Sequence, residues 1–293
     1  MYVPDIELHE AATLEQASEA LRRYAPSARL LAGGTDVLVD LKTGRIDCDH
    51  LVSINRIAAL HNISEVQGQL RIGALATISE LLCAPAVRSR FAPLLDAADK
   101  MAAAQIRNAA TAGGNIAAAV PCADLPPILI AMNASVVLWR PDGERETPLD
   151  AFYTGPRQTV LREDEVLTEI IVPEPPAGFG AAYARFQLRD GNAIAVASVG
   201  ASLLLDADGR VRDARIVLGA VAPVPKLVEA AGAVLTGKPP EVEGFEQAAR
   251  IARENAEPIS DVRASAEHRR DLVQVLTRRA LATAYRRAGE VRP

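Results

Sequence analysis

Apolar residues recur three or four positions apart in LEQASEALRRY, so Leu14, Ala17, Leu21 and Tyr24 fall on one side of a predicted helix. Thr13 can cap that helix, Gln16 stands in the capping-box position, and Pro26 closes it. The pattern then shortens. ARLLAG predicts a buried strand running into a glycine turn, VLVDLKTG resumes apolar sequence beyond it, and HLVSINRI (residues 50–57) predicts another strand. The first 60 residues thus read as helix, strand, glycine turn and strand, a compact α/β unit.

QLRIGAL (69–75) predicts a strand, and TISELLCAPAVRSRFAPLLDAADKM predicts two helices interrupted near Pro85. Asp124, Pro126 and Pro127 suit the first turn of a helix through ILIAMNA, because proline lacks only an amide that a first turn leaves unpaired. SVVLWR, the turn PDGE and DEVLTEIIVP follow as strand, turn and strand. VPEPPAGFG (172–180) concentrates proline and glycine and marks a boundary. Beyond it, GNAIAVASVGASLLLDADGRVRDARIVLGAVAP predicts alternating adjacent strands joined at Asp208-Gly209. A last helix runs from about Ala266 to Arg287, with Leu272, Val275, Leu276, Ala280 and Ala284 on its packing face and its arginines on a solvated or partner-facing side. The expected lobes are 1–60, 61–175 and 176–293.

Composition narrows the function classes. The 293 residues are 49% hydrophobic and 24% charged, with a formal net charge of -5, which suits a globular chain and argues against a dedicated nucleic-acid surface. Cys48, Cys83 and Cys122 form no CxxC pair, so neither a disulfide framework nor a complete local zinc or iron-sulfur site is indicated. None of the four histidines (His9, His50, His61, His268) falls in a metal or triad signature, and local hydrogen-bonding or solvated roles are expected for them. The start MYVPDIELHE lacks a signal-peptide pattern, and no segment reaches the 18 or so continuous apolar residues of a bilayer span. A cytoplasmic protein, reaching a membrane only through a partner, is the expectation.

The chemistry concentrates in two phrases, LAGGTDVLVDLKTG and TAGGNIAAAV. Gly33 and Gly34 can bring backbone amides close to a ligand, Thr35 can donate a hydroxyl, and Gly113, Gly114 and Asn115 offer matching equipment. Either pair alone is also explained by a tight turn. Two such pairs, each followed by a polar residue, suit one diphosphate held from two sides. Neither is GxGxxG nor GxxxxGKS, so a Rossmann loop or an ATPase loop fits poorly.

These phrases, together with LVSINRI, LRIGALATISEL, IRNAATAGGNIAAAVPCADLPPILIAMNASV, VLGAVAPVP and DVRASAEHRRDLVQVLTRRAL, resemble in order and over nearly the whole chain the flavin-binding medium subunits of molybdenum hydroxylases. That family includes carbon monoxide dehydrogenase medium subunits, 4-hydroxybenzoyl-CoA reductase β subunits and the middle domain of xanthine dehydrogenases. The resemblance implies an α+β, vanillyl-alcohol-oxidase-like (PCMH-type) FAD-binding fold with two N-terminal α/β lobes and a C-terminal sheet-and-helix domain.

By motif match it also implies that Ala32, Gly33, Gly34, Thr35 and Asp36 hold one side of the FAD diphosphate and Thr111, Gly113, Gly114 and Asn115 the other. Asp124 matches the acidic residue at the ribityl or adenosine part, and Leu161 lies in the segment packed near adenine or the flavin. Tyr183 and Arg185 fall in the segment near the isoalloxazine ring, where this chain has Ala184-Arg185 near the usual lysine and Asn192-Ala193 near the usual aspartate. Local roles compete throughout: Asp36 and Asp124 as caps, Thr111 closing a strand, Asn115 in a turn, Leu161 in the core, Tyr183 and Arg185 in an ordinary strand start. The passage from TAGGN to the next helix lacks the cysteine-rich insertion of the 4-hydroxybenzoyl-CoA reductase branch, which favours the single-cofactor version.

The implied role is electron transfer, with noncovalent FAD in this chain, molybdopterin in a large partner subunit and two [2Fe-2S] clusters in a small one, assembled as a dimer of heterotrimers. A self-sufficient FAD oxidoreductase and a structural subunit with a vacant flavin site are the alternatives.

Overall fold

The computed structural model describes residues 5–289. Its first sheet is parallel, in the order Glu7–Glu10, His50–Ser53, Ala28–Leu31. The helix Leu14–Tyr24 covers one face, burying Ala17 and Leu21. Thr13 Oγ1 accepts from Gln16 N at 3.3 Å, and Gln16 Oε1 accepts from Ala12 N at 2.8 Å. The outer strand Glu7–Glu10 escapes the apolar pattern because it is an exposed edge of sequence ELHE. VLVDLKTG supplies a short helix, Val37–Lys42, directly after the glycine turn.

The second sheet is antiparallel, in the order Ile63–Val66, Gln69–Gly73, Val166–Val172, Ser135–Arg140, Gly143–Pro148. The helical stretch beside it holds three helices rather than the expected two: Ile78–Cys83, Pro85–Arg90 and Pro93–Ala98. Pro93 opens the third as Pro85 opens the second, each placing its missing amide in a first turn. The helix Leu125–Ala131 also starts on prolines and is buried along its length.

The third sheet runs Phe179–Phe186, Ala197–Leu205, Val211–Gly219, Lys226–Leu227, with a hairpin at Asp208-Gly209 as expected. The expected alternation is absent from Ala197–Leu205, whose first seven residues are all buried. Both of its faces are covered. Leu203 and its register partner Gly180 face the last helix, Ala266–Gly289; Gly200 and Ser202, on the opposite face, meet Leu125–Ala131. A Cβ on Gly200 would stand 2.2 Å from the Pro127 carbonyl oxygen, so only glycine admits that helix.

The last helix buries Arg269, Val273, Leu276, Thr277, Ala280, Leu281, Ala284 and Ala288, whereas Leu272 and Val275 are only partly buried. Its packing face is therefore rotated from the expected one, and its arginines do not all coat the surface. Arg269 is 1% exposed, donating to Val196 O at 2.8 Å and pairing with Asp261 Oδ1 at 2.7 Å. Arg287 grips Asp96 at 2.6 and 2.9 Å, tying this helix to Pro93–Ala98. No helix among the described residues is long and apolar enough to cross a membrane.

Candidate functional site

A cavity of about 490 Å³ opens between the turn that follows Ala28–Leu31 and the helix Ala112–Ala117. Ala32, Gly33, Gly34, Thr35 and Asp36 line it from one side, Thr111, Gly113, Gly114 and Asn115 from the other, and Leu161 from a third segment. Leu21, Leu30, Ile46, Ile54 and Leu167 give it apolar wall.

The two glycine pairs do different work. The strand Ala28–Leu31 ends two residues before Gly33, and Gly34 turns the chain at φ +72°. Leu38 N bonds back to Gly34 O at 3.2 Å, but among the described residues no protein acceptor meets the amides of Gly33, Gly34, Thr35, Asp36 and Val37. Five successive donors bordering a cavity form an anion-binding nest. The second pair was expected to be another such turn, and it is not. Gly113 and Gly114 lie in the first turn of the helix Ala112–Ala117, capped by Thr111, whose Oγ1 accepts from Gly114 N at 3.0 Å. Ala112 N and Gly113 N donate to Ala76 O and Ala74 O at 2.8 and 2.9 Å, so these amides are already committed. Of the second pair, Gly113 seats the turn against Ala74 and only Gly114 offers a bare surface. A Cβ on Gly113 would lie 2.6 Å from that of Ala74, while one on Gly114 would meet only Thr111 Oγ1 within 4 Å.

Arg157 joins the walls, and nothing in the sequence pattern set it apart from any turn arginine. Its amide donates to Ala119 O at 2.8 Å beside the second stretch. Its guanidinium reaches the helix Val37–Lys42, where Asp40 is 4% exposed, and bonds both carboxylate oxygens. Arg29 and Arg162 add positive charge to the lining. Burial pushes the Asp36 carboxyl up and Asp40 adds to the rise, while Arg157 opposes it. For Glu165, burial acts upward but is outweighed by the Arg145 guanidinium, the Arg162 amide and both positive charges, so its pKa is lowered.

Asp124, Tyr183 and Arg185 do not line this cavity. They form a buried knot behind it. The Tyr183 hydroxyl donates to Asp124 Oδ1 at 2.6 Å, and Arg185 donates to the same oxygen at 2.7 Å. Asp124 precedes the helix Leu125–Ala131 without capping it through its side chain. Burial raises the Asp124 carboxyl, against Arg185 and the Tyr183 hydrogen bond, and burial and Asp124 together raise the Tyr183 phenol. The knot adjoins the cavity through Asn115, whose Oδ1 accepts from Leu125 N at 3.4 Å.

This geometry fits FAD: a nest of free amides for the diphosphate, the bare surface at Gly114 that a Cβ would fill, and apolar walls. Comparison with known proteins agrees. Residues 4–175 match the FAD binding domain in molybdopterin dehydrogenase, and residues 181–284 match the CO dehydrogenase flavoprotein C-terminal domain. The carbon monoxide dehydrogenase medium chain of Hydrogenophaga pseudoflava is 34% identical, covering 99% of this chain and 100% of that one. The xanthine dehydrogenase FAD-binding subunit of Escherichia coli O157:H7 is 33% identical, covering 96% of each. A solved structure of carbon monoxide dehydrogenase from Hydrogenophaga pseudoflava, lacking the Mo-pyranopterin moiety of its molybdenum cofactor, matches with a TM-score of 0.94 at 36% identity, over 98% of this chain and 99% of that one.

Proposed function

This chain belongs to the family of FAD-binding medium subunits of molybdenum hydroxylases, and on that basis we propose that it is the electron-transferring flavoprotein of a heteromeric oxidoreductase. Its fold is the α+β PCMH-type FAD-binding fold, which we divide into lobes 1–60, 61–175 and 176–293. FAD, when bound, supplies a centre that exchanges electrons singly or in pairs. A large subunit holding molybdopterin and a small one holding two [2Fe-2S] clusters complete the assembly, as a dimer of heterotrimers. Electrons pass from the clusters to this chain and on to an external acceptor. The cytoplasm is the compartment that suits its three free cysteines.

The observation that carries the reading is the row of free amides from Gly33 to Val37 facing the capped turn Thr111–Asn115. In it the amides and the Thr35 hydroxyl hold the diphosphate, with Ala32 and Asp36 beside them. Thr111 fixes the opposite turn, Gly113 lets that turn close on Ala74, and Gly114 lets the ligand lie against its backbone. Arg157 neutralises phosphate charge, and Leu161 packs on a ring. Asp124, Tyr183 and Arg185 act one layer out, setting the position of Asn115 through Leu125.

Purification of the native complex tests this. The chain should carry noncovalent FAD, released by acid precipitation, and should copurify with molybdopterin and [2Fe-2S] subunits; substrate should reduce its flavin only when both are present. Rapid reduction of the flavin by substrate in the isolated chain would overturn the relay and leave a self-sufficient enzyme. A folded chain without flavin would leave only a structural subunit.

A further inference from the structure

On the first sheet, away from the cavity, Glu7 and His9 share one face of the outer strand, and the parallel register sets His50 directly opposite Glu7. His9 Nε2 and His50 Nδ1 are 3.1 Å apart; Glu7 Oε1 lies 3.9 Å from the first and Glu7 Oε2 lies 3.6 Å from the second. Two ligands at about 2.0 Å from a tetrahedral zinc stand about 3.3 Å apart, close to the 3.1 Å between the two imidazole nitrogens, and one oxygen of the exposed Glu7 carboxylate lies within 4.8 Å of both, so a turn of that side chain completes the set.

The rings are held in place. Tyr24, at the end of the covering helix, stacks on His9 with centroids 4.5 Å apart and on His50 with centroids 4.1 Å apart. The imidazoles are 20% and 22% exposed and the carboxylate 64%, which leaves a path for an ion and room for water ligands. Among the described residues these three form a group of His, Cys, Asp and Glu side chains whose ligand atoms all lie within 4.8 Å of one another.

We propose that Glu7, His9 and His50 bind a divalent transition-metal ion of the zinc class, with water completing a tetrahedral site. Two imidazoles and a carboxylate suit zinc, and nickel or copper less selectively. None of the three lines the cavity, so the ion is structural. It staples the edge strand Glu7–Glu10 to His50–Ser53, the strand that also pairs with Ala28–Leu31 leading to Gly33.

The test uses the full chain, flavin-loaded, without an affinity tag and stripped with chelator. Titration with zinc against a chromophoric competitor should give one equivalent bound with micromolar or tighter affinity. His9→Gln and His50→Gln should each weaken binding by about a hundredfold, and Glu7→Gln by about tenfold. Flavin content and far-UV circular dichroism report whether the variants fold. Should either histidine variant misfold, X-ray absorption on the zinc-loaded wild type decides: two imidazoles and oxygen ligands support the site, and thiolate ligation overturns it. No binding at about 100 µM zinc, or unchanged binding by folded histidine variants, also overturns it.

Discussion

The carbonyl oxygen of Ala109 lies 1.8 Å from the point where a Cβ on Gly33 would stand, so the first glycine pair presses backbone to backbone on the approach to the second. Gly33→Ala must therefore part the two cavity walls. A cost of about 1–3 kcal/mol is expected, as for overpacking elsewhere, together with a lower FAD-to-protein ratio after gel filtration. Wild-type stability and flavin content in this variant would show that the contact does not shape the site.

Gly34 and Gly209 offer a matched pair, at φ +72° and +75°, and alanine at either costs on the order of 1 kcal/mol in backbone strain. Only Gly34 borders the cavity, and its Cβ would also stand 2.9 Å from Leu38 Cδ1, whereas at Gly209 nothing lies within 4 Å. Gly34→Ala should weaken FAD binding roughly tenfold, about 1.4 kcal/mol, and Gly209→Ala should leave it unchanged. Equal affinities in fluorescence titration would count against the nest.

Arg157→Ala removes the main counter-ion of buried Asp40. The expected cost is about 2 kcal/mol, below that of a fully buried pair, because Arg157 is 39% exposed and Arg45 remains 3.4 Å from Asp40. Adding Asp40→Asn should recover much of the stability but not the flavin affinity, which separates the two roles of Arg157. Recovery of both in denaturation and binding assays would confine Arg157 to the ion pair.

Tyr183→Phe leaves Asp124 and Arg185 in place but takes away a 2.6 Å hydrogen bond inside a buried knot. About 1–2 kcal/mol should be lost in urea unfolding. With its phenol raised by burial and by Asp124, Tyr183 should contribute no tyrosinate absorbance until the chain unfolds in alkali. A tyrosinate titrating near pH 10 in the folded chain, and lost with Tyr183→Phe, would contradict the knot.

Stability toward acid depends on Asp261. The Arg263 side chain holds its carboxyl well below the usual carboxylate range, against burial and with help from the Arg263 amide and Arg269. A depressed folded pKa adds stability that is complete above the unfolded value, about pH 4, and is lost as pH falls toward the folded value. The gap in stability between wild type and Asp261→Asn should therefore be widest near neutrality and narrow below about pH 4. A gap that widens in acid would reverse the assignment.

Much of this was written locally. The capped helix from Leu14, the proline-started helix entering ILIAMNA and the hairpin at Asp208-Gly209 depend on interactions a few residues long, so period and capping residues disclosed them. The glycine pairs were visible for the same reason, and they marked the cavity. Their different tasks were not visible. Whether an amide is free depends on distant acceptors: Ala74 and Ala76 occupy those beside Gly113, and no such partner among the described residues reaches Gly33. Arg157 meets Asp40 across 117 residues and His9 meets His50 across 41, separations at which sequence carries no period. Local pattern fixes elements because backbone geometry repeats within them; only the closing of the lobes on one another decides which polar groups are satisfied and which remain to hold a ligand.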